Sequence, residues 1–163
     1  MSPSLRKTLL TAHVTVSVGW LGAVAAVLGL AIVALASDDA QTVRGAYLVL
    51  EPAAWFVLVP LALASLLTGV VQSLATPWGL FRHYWVVFKL LINLFATVVL
   101  LTYTQTLDTL ADAASAGALA SLRTPSVVLH ASLALLLLLV ATTLAVVKPR
   151  GMTPYGRRKR LSA

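Results

Sequence analysis

The sequence predicts an all-α, polytopic membrane protein: an antiparallel bundle of four transmembrane helices with both termini in the cytoplasm. Three observations lead there. Of the 163 residues, 60% are hydrophobic and only 10% are charged. A soluble domain carries about 25% charged residues, so this composition cannot cover a water-facing surface. Four apolar stretches reach the ~20 residues that cross ~30 Å of hydrocarbon as helix. Finally, the basic residues segregate. Arg6, Lys7, Arg82, Lys148, Arg150, Arg157, Arg158, Lys159 and Arg160 fall on one side of these spans. Arg44 and Arg123 fall on the other, with Asp38, Asp39, Asp108 and Asp112. The positive-inside rule then gives a multi-pass protein of the cytoplasmic membrane, its net charge of +7 serving topology.

The first span is expected over Thr8–Ala36. Its basic flank, MSPSLRK, resembles that of a signal peptide, but the apolar run exceeds the ~7–15 residues of a secretory core and reads as a retained helix. Ser17, Gly19, Gly22, Ala23, Ala25, Ala26 and Gly29 make it rich in small residues. Gly22–Ala26 and Ala25–Gly29 are small-xxx-small pairs that let another backbone come close. That backbone belongs to a helix of the same bundle or to a homo- or hetero-oligomer joined through this helix; the same small residues would also make room for a flat ligand.

The second span is expected over Tyr47–Leu74. Pro60 lies inside it and bends it, whereas Pro52 lies near its predicted start, where proline costs little. A turn-rich link, ATPWGLFRH, leads to the third span, Tyr84–Thr106. The longest link, LDTLADAASAGALASLRTP, has Ala and Leu at helical spacing and predicts a short surface helix. The fourth span is Pro125–Val147. Short links make sequence neighbours antiparallel neighbours. The chain therefore divides into a four-helix transmembrane domain, 1–147, and a basic cytoplasmic tail, 148–163. The tail, KPRGMTPYGRRKRLSA, has no apolar period and is expected to be extended or disordered. Its RRKR would meet anionic lipid at ~1 kcal/mol per basic residue. No nucleic-acid partner is expected, because a basic tail beside a span is an ordinary stop signal.

The chain contains no cysteine, which excludes disulfides, thiolate chemistry and cysteine metal sites. The remaining polar residues sort by depth. His13 lies six residues past Lys7 and Lys89 six residues past His83, each roughly 9 Å into the span. The two are expected to face each other, with Ser17 and Gln72 nearby. Trp85, Lys89, Asn93 and Thr97 recur every fourth residue on one face, as His13 and Ser17 do, with Trp20 close behind. Ionisable groups in membrane helices mostly face the bundle interior. The alternative for Lys89 is to snorkel, its stem carrying the amine to the interface. A second level is expected near the other side: Glu51, four residues into its helix, His130, five into its own, and Tyr103, with Trp55 as a neighbour. A neutral His130 bonded to Glu51 is the structural alternative there.

These groups admit few chemistries. His13 and His130 differ in level by roughly 10 Å or more, so a single haem cannot take both. A haem with one axial imidazole remains, as does a proton path through Glu51, His130, His13 and Lys89. A zinc site needs three or four ligands, and neither level supplies them. The sequence has no hydrolase triad, phosphate loop or dinucleotide fingerprint, so no catalytic residue is assigned.

Two resemblances bear on this choice. AHVTVSVGWLGAVAA, LLTGVVQSLATPWGLFRHYWVVFKLL and the tail VVKPRGMTPYGRR together resemble a family of small actinobacterial four-helix integral membrane proteins of unknown function. That likeness covers essentially the whole chain. More distantly, His13 followed by Trp20-x-Gly22 is similar to the opening helix of the bacterial membrane protoporphyrinogen oxidase and copper-resistance D families. Trp85 and Lys89 match the Trp–Lys pattern of the former, which is associated with b-type haem. This likeness implies haem b or a porphyrin in the inner half of the bundle. His13 would then be the metal (axial) ligand, Lys89 the partner of a propionate or substrate acid, and Trp20, Asn93 and Ser17 would line the site. The other readings are a small proton-coupled transporter and a non-catalytic subunit of a larger membrane complex.

Overall fold

The computed structural model describes residues 2–76 and 78–161. Pro77, in the predicted turn, and Ser162 and Ala163, at the end of the predicted tail, lie outside the described residues. Four helical stretches, Pro3–Ala36, Ala40–Leu74, Tyr84–Ser115 and Leu119–Val147, are long and apolar enough to cross a membrane. Their outer surfaces remain apolar after folding: Phe56 is 80% exposed and Leu67 65%. Bare hydrocarbon on this scale around a whole bundle is a lipid-facing surface, and the chain is a multi-pass membrane protein.

The first span is α1 (Pro3–Ala36). It begins one turn before the predicted Thr8, because Ser2 caps it by accepting from the Leu5 N–H and Pro3 suits a first helical position. The second span is α2 (Ala40–Ala53), a π turn (Ala54–Leu58) and α3 (Val59–Leu74). It starts at Ala40, seven residues before the predicted Tyr47. Asp39 caps it, accepting from the N–H and the hydroxyl of Thr42. Pro52 is consequently inside a helix rather than near its start. The wide turn directly precedes Pro60, which offers no N–H to the carbonyl four residues back, and the Val59 N–H reaches past that register to Ala54.

The third span, α4 (Tyr84–Ser115), outruns its predicted end at Thr106 by more than two turns. Leu107, Leu110, Ala111 and Ala114 are buried along the extension, so packing continues what hydropathy does not reveal. The predicted surface helix in this link shrinks to one turn, α5 (Leu119–Leu122), and it is anchored rather than loose. Leu122 is buried, and its carbonyl accepts from the buried Tyr47 hydroxyl at 2.7 Å. The fourth span is α6 (Ser126–Val147).

The first span packs on the second and fourth, and the third packs on the second and fourth, so α1 and α4 face each other across the diagonal. The core between them holds Trp20, Val24, Tyr47, Leu50, Leu58, Ala62, Ala96 and Leu138. Not all of the small residues of α1 lie there. Gly19 sits against Leu61, but Gly22 and Gly29 have open space where a side chain would be, and Ala25 and Ala26 are exposed beside them.

The tail differs most from expectation. Instead of an extended strand it folds back and docks. Thr153, buried, donates its hydroxyl to the Phe81 carbonyl at 2.6 Å, and its N–H to the Arg82 carbonyl at 3.0 Å. His83 and Met152 form an antiparallel bridge, and α7 (Pro154–Leu161) follows.

Two outcomes test this architecture. Tyr47→Phe leaves the buried Leu122 carbonyl without its donor and should cost about 1–3 kcal/mol in a denaturant titration in micelles. The bonds from Thr42 hold the Asp39 carboxyl below the usual aspartate range. A depressed folded value stabilises above the unfolded one and is lost as pH falls through it. Protein with Asp39→Asn, which keeps a cap, should therefore lose less stability than the parent between mildly and strongly acidic pH.

Candidate functional site

Helical periodicity puts His13, Ser17 and Trp20 on the inner face of α1, and the same rule puts Trp85, Lys89 and Asn93 on the inner face of α4. The two faces meet. Lys89 Nζ lies 3.1 Å from His13 Nε2 across the diagonal of the bundle. Lys89 thus points into the bundle and does not snorkel.

The hydrogen bonds fix the tautomer of His13. The Thr68 hydroxyl has one proton, which it donates to the Ala64 carbonyl at 2.6 Å. Its oxygen therefore accepts from His13 Nδ1–H, 2.9 Å away. Nε2 is left with a lone pair, and the Lys89 amine donates to it. Two cations at 3.1 Å would repel strongly in hydrocarbon, so the imidazole is the neutral partner. Gly69 makes the fit possible: a Cβ there would meet His13 Cε1 at 3.1 Å. Below this, Ser17 and Ser65 share a hydroxyl bond of 2.9 Å. Asn93 and Thr97 bond back to carbonyls of their own helix, Lys89 and Asn93 respectively. Asn93 thereby ties the helix turn that carries Lys89.

Of these, His13, Ser17, Ser65, Gly69, Lys89 and Asn93 line a cavity of about 420 Å³, whose wall also takes Thr76, Trp78 and Leu80 from the link between the second and third spans. This volume is within the usual range for small-molecule sites. Its walls carry three cations, Arg6, Lys89 and Lys148, and no carboxylate among the described residues. Two further donors, the indole N–H groups of Trp20 and Trp85, are buried with no partner among the described residues. The site therefore holds cations and unpartnered N–H donors with no carboxylate to match them among the described residues. A ligand that complements it brings acceptors, negative charge and an apolar body.

The second predicted level is only partly assembled. Tyr103 and His130 stack with ring centroids 4.0 Å apart, Tyr103 bonds Ser126, and His130 Nδ1 donates to the Ser126 carbonyl. Glu51 does not join them: among the described residues it has no hydrogen bond or ion pair with His130. Trp55, its expected neighbour, turns to Asp108 instead. Tyr103 and His130 line a separate apolar cavity of about 290 Å³, with no Asp, Glu, Lys or Arg on its walls among the described residues. Trp20 lines both cavities and is the wall between them.

Sequence reasoning did not single out Thr68, Ser65 or Gly69, although Ser65, Thr68, Gly69 and Gln72 at helical spacing were a readable polar stripe on α3. Nor did it give Arg6 and Lys148 a place in the site. Among the described residues, no group of three or more histidine, cysteine, aspartate or glutamate residues could hold a bare metal ion. Comparison with family models, curated proteins and solved structures returns no match for this chain.

Thr68→Val removes the acceptor that orients His13 and should lower stability by about 1–3 kcal/mol. Lys89→Met deletes a costly amine from hydrocarbon, leaving a single neutral acceptor behind. Unfolding titrations should therefore show Lys89→Met at least as stable as the parent protein and Thr68→Val less stable.

Proposed function

We propose that this protein sits in the cytoplasmic membrane with both termini inside, its four spans antiparallel, and binds b-type haem or a porphyrin in the cavity around His13 and Lys89. The single observation that carries this reading is the convergence of His13 Nε2 and Lys89 Nζ, 3.1 Å apart, on a cavity with three cations and no carboxylate among the described residues. The resemblance to membrane protoporphyrinogen oxidases selects a tetrapyrrole from among acidic, apolar ligands.

The residues fit such a group. Thr68 holds the imidazole in the tautomer that presents Nε2, as outer partners of metal-bound histidines commonly do. Lys89 donates to that lone pair; with a tetrapyrrole bound, Nε2 would be its ligand and the Lys89 amine would be free to meet an acidic group. Arg6 and Lys148 are further partners for acids, and the unpartnered N–H groups of Trp20 and Trp85 would gain acceptors. When bound, haem supplies a one-electron redox centre whose potential depends on the axial ligand and on burial.

The orientation rests on charge. The cavity end carries Arg6, Lys7, Arg82, Lys148 and Arg150, and the opposite links carry Asp38, Asp39, Asp108 and Asp112. The basic α7 would then lie at the inner leaflet, where anionic lipid is its partner.

Purified protein reconstituted with hemin should show a Soret band that shifts on reduction. His13→Ala should abolish it, and Lys89→Met should weaken binding about tenfold, the loss of one charge-assisted bond. No Soret shift on titration with hemin would end the reading.

The proton-coupled carrier would use Glu51 and His130 in its outer half, and among the described residues these two make no hydrogen bond or ion pair with each other. The partner reading has an observation of its own: the exposed Gly22, Ala25, Ala26 and Gly29 on α1 leave room for another backbone. If that face is an oligomer seam, Gly22→Leu should shift the protein to a smaller species in cross-linking in native membranes. An unchanged pattern would count against it.

A further inference from the structure

The segment that follows α6 is built to stay in one place. Thr153 is buried and shares its hydroxyl between the carbonyls of Phe81, at 2.6 Å, and Arg82, at 3.3 Å. The same oxygen accepts from the Gly156 N–H at 3.0 Å. The N–H groups of Tyr84 and Thr153 reach the carbonyls of Gly151 and Arg82. Gly156 rests directly on the backbone of Arg82, where any Cβ would run into the Arg82 carbonyl. The segment thus holds the loop between the second and third spans, and that loop supplies Thr76, Trp78 and Leu80 to the wall of the cavity.

The segment also begins with Lys148, which joins that wall with Nζ 5.6 Å from the centre of the Trp78 ring. Lys148 adopts a left-handed backbone, φ 46°, at the C-cap of α6. Helix ends in this conformation favour glycine, because a Cβ is strained there. A lysine at such a position costs stability relative to glycine.

We propose that residues 148–156 form a strap that clamps the loop walling the cavity and sets Lys148 on that wall as the first cation an acidic ligand meets. Thr153 and Gly156 are its positioning residues, acting through the loop they clamp. The wall is independent of any ligand; the role of Lys148 rests on the tetrapyrrole reading.

The absence of native cysteines makes the strap directly testable. Residues 83 and 152 form an antiparallel bridge, and such pairs have Cα atoms about 4.5–5.5 Å apart, within disulfide range. The double variant His83→Cys/Met152→Cys should cross-link under mild oxidation in native membranes. If both thiols stay reactive to maleimide, the strap is not docked and the proposal fails. This test alters no buried hydroxyl and so decides docking by itself.

Access is read with Thr76→Cys on the cavity wall. Its maleimide labelling should quicken about tenfold or more when Thr153→Val is added, the expected effect of stranding buried partners. Thr153→Ser, which keeps the hydroxyl, should restore the slow rate. Labelling at a distant Asp112→Cys should not change. Equal rates in all Thr76→Cys proteins would show that the strap clamps no wall of the cavity.

Lys148→Gly should be at least as stable as the parent, yet bind protoporphyrin IX several-fold more weakly. Equal affinity overturns the role of Lys148. If the parent itself does not bind protoporphyrin IX, the role of Lys148 falls together with the proposed function, while the cross-linking and labelling results stand on their own.

Discussion

An amine in hydrocarbon needs an acceptor, and the geometry of this bundle follows from where Lys89 finds one. The nearest neutral lone pair is His13 Nε2, on the helix across the diagonal. For Nε2 to be a lone pair, Nδ1 must carry the proton, and for that Thr68 must accept it. Thr68 can do so because its own proton is spent on the Ala64 carbonyl. Three of the four spans are thereby linked in a single donor-to-acceptor sequence. Gly69 keeps the imidazole close enough to take part. Each member has one arrangement that satisfies it, so the chain specifies the register of α1, α3 and α4 more sharply than apolar packing could.

The two ends of the bundle differ in chemistry. One surrounds its cavity with cations and unused N–H groups; the other surrounds its own with aliphatic and aromatic carbon, plus the stacked Tyr103 and His130. Trp20 stands between them, 2% exposed. A single large side chain therefore separates a polar compartment from an apolar one. Acidic groups are favoured on one side of it and excluded on the other, where neutralising them would fall to no residue on the walls.

Much of this was legible in the sequence. The four spans follow from hydropathy alone. The meeting of His13 with Lys89 follows from counting residues inward from two basic flanks, and the company of Ser17, Trp20, Trp85 and Asn93 from helical spacing. What escaped had physical reasons. Hydropathy marks where lipid begins and is silent about a helix that continues beyond it, so the starts of α1 and α2 and the end of α4 were misplaced. Thr68 and Ser65 look like ordinary small polar residues until the tautomer of a partner gives them a task. Glu51 was placed by depth, a one-dimensional measure, whereas its contact with His130 needed the right azimuth too. The tail has no apolar period because it docks through backbone groups, a threonine hydroxyl and a glycine, none of which a hydrophobic pattern can reveal.

The wide turn at Ala54–Leu58 bears on that azimuth. One surplus residue in a helix turns everything on one side of it by about 100° relative to the other. The second span is therefore two rods out of phase with each other. Substitutions that re-aim residues before the turn leave the bearing of Ser65 and Thr68 untouched, and the converse holds. Removing a single residue from the turn would close the offset and swing one rod's polar side chains into lipid. The two ends of the molecule can thus change their chemistry separately while remaining on one continuous backbone.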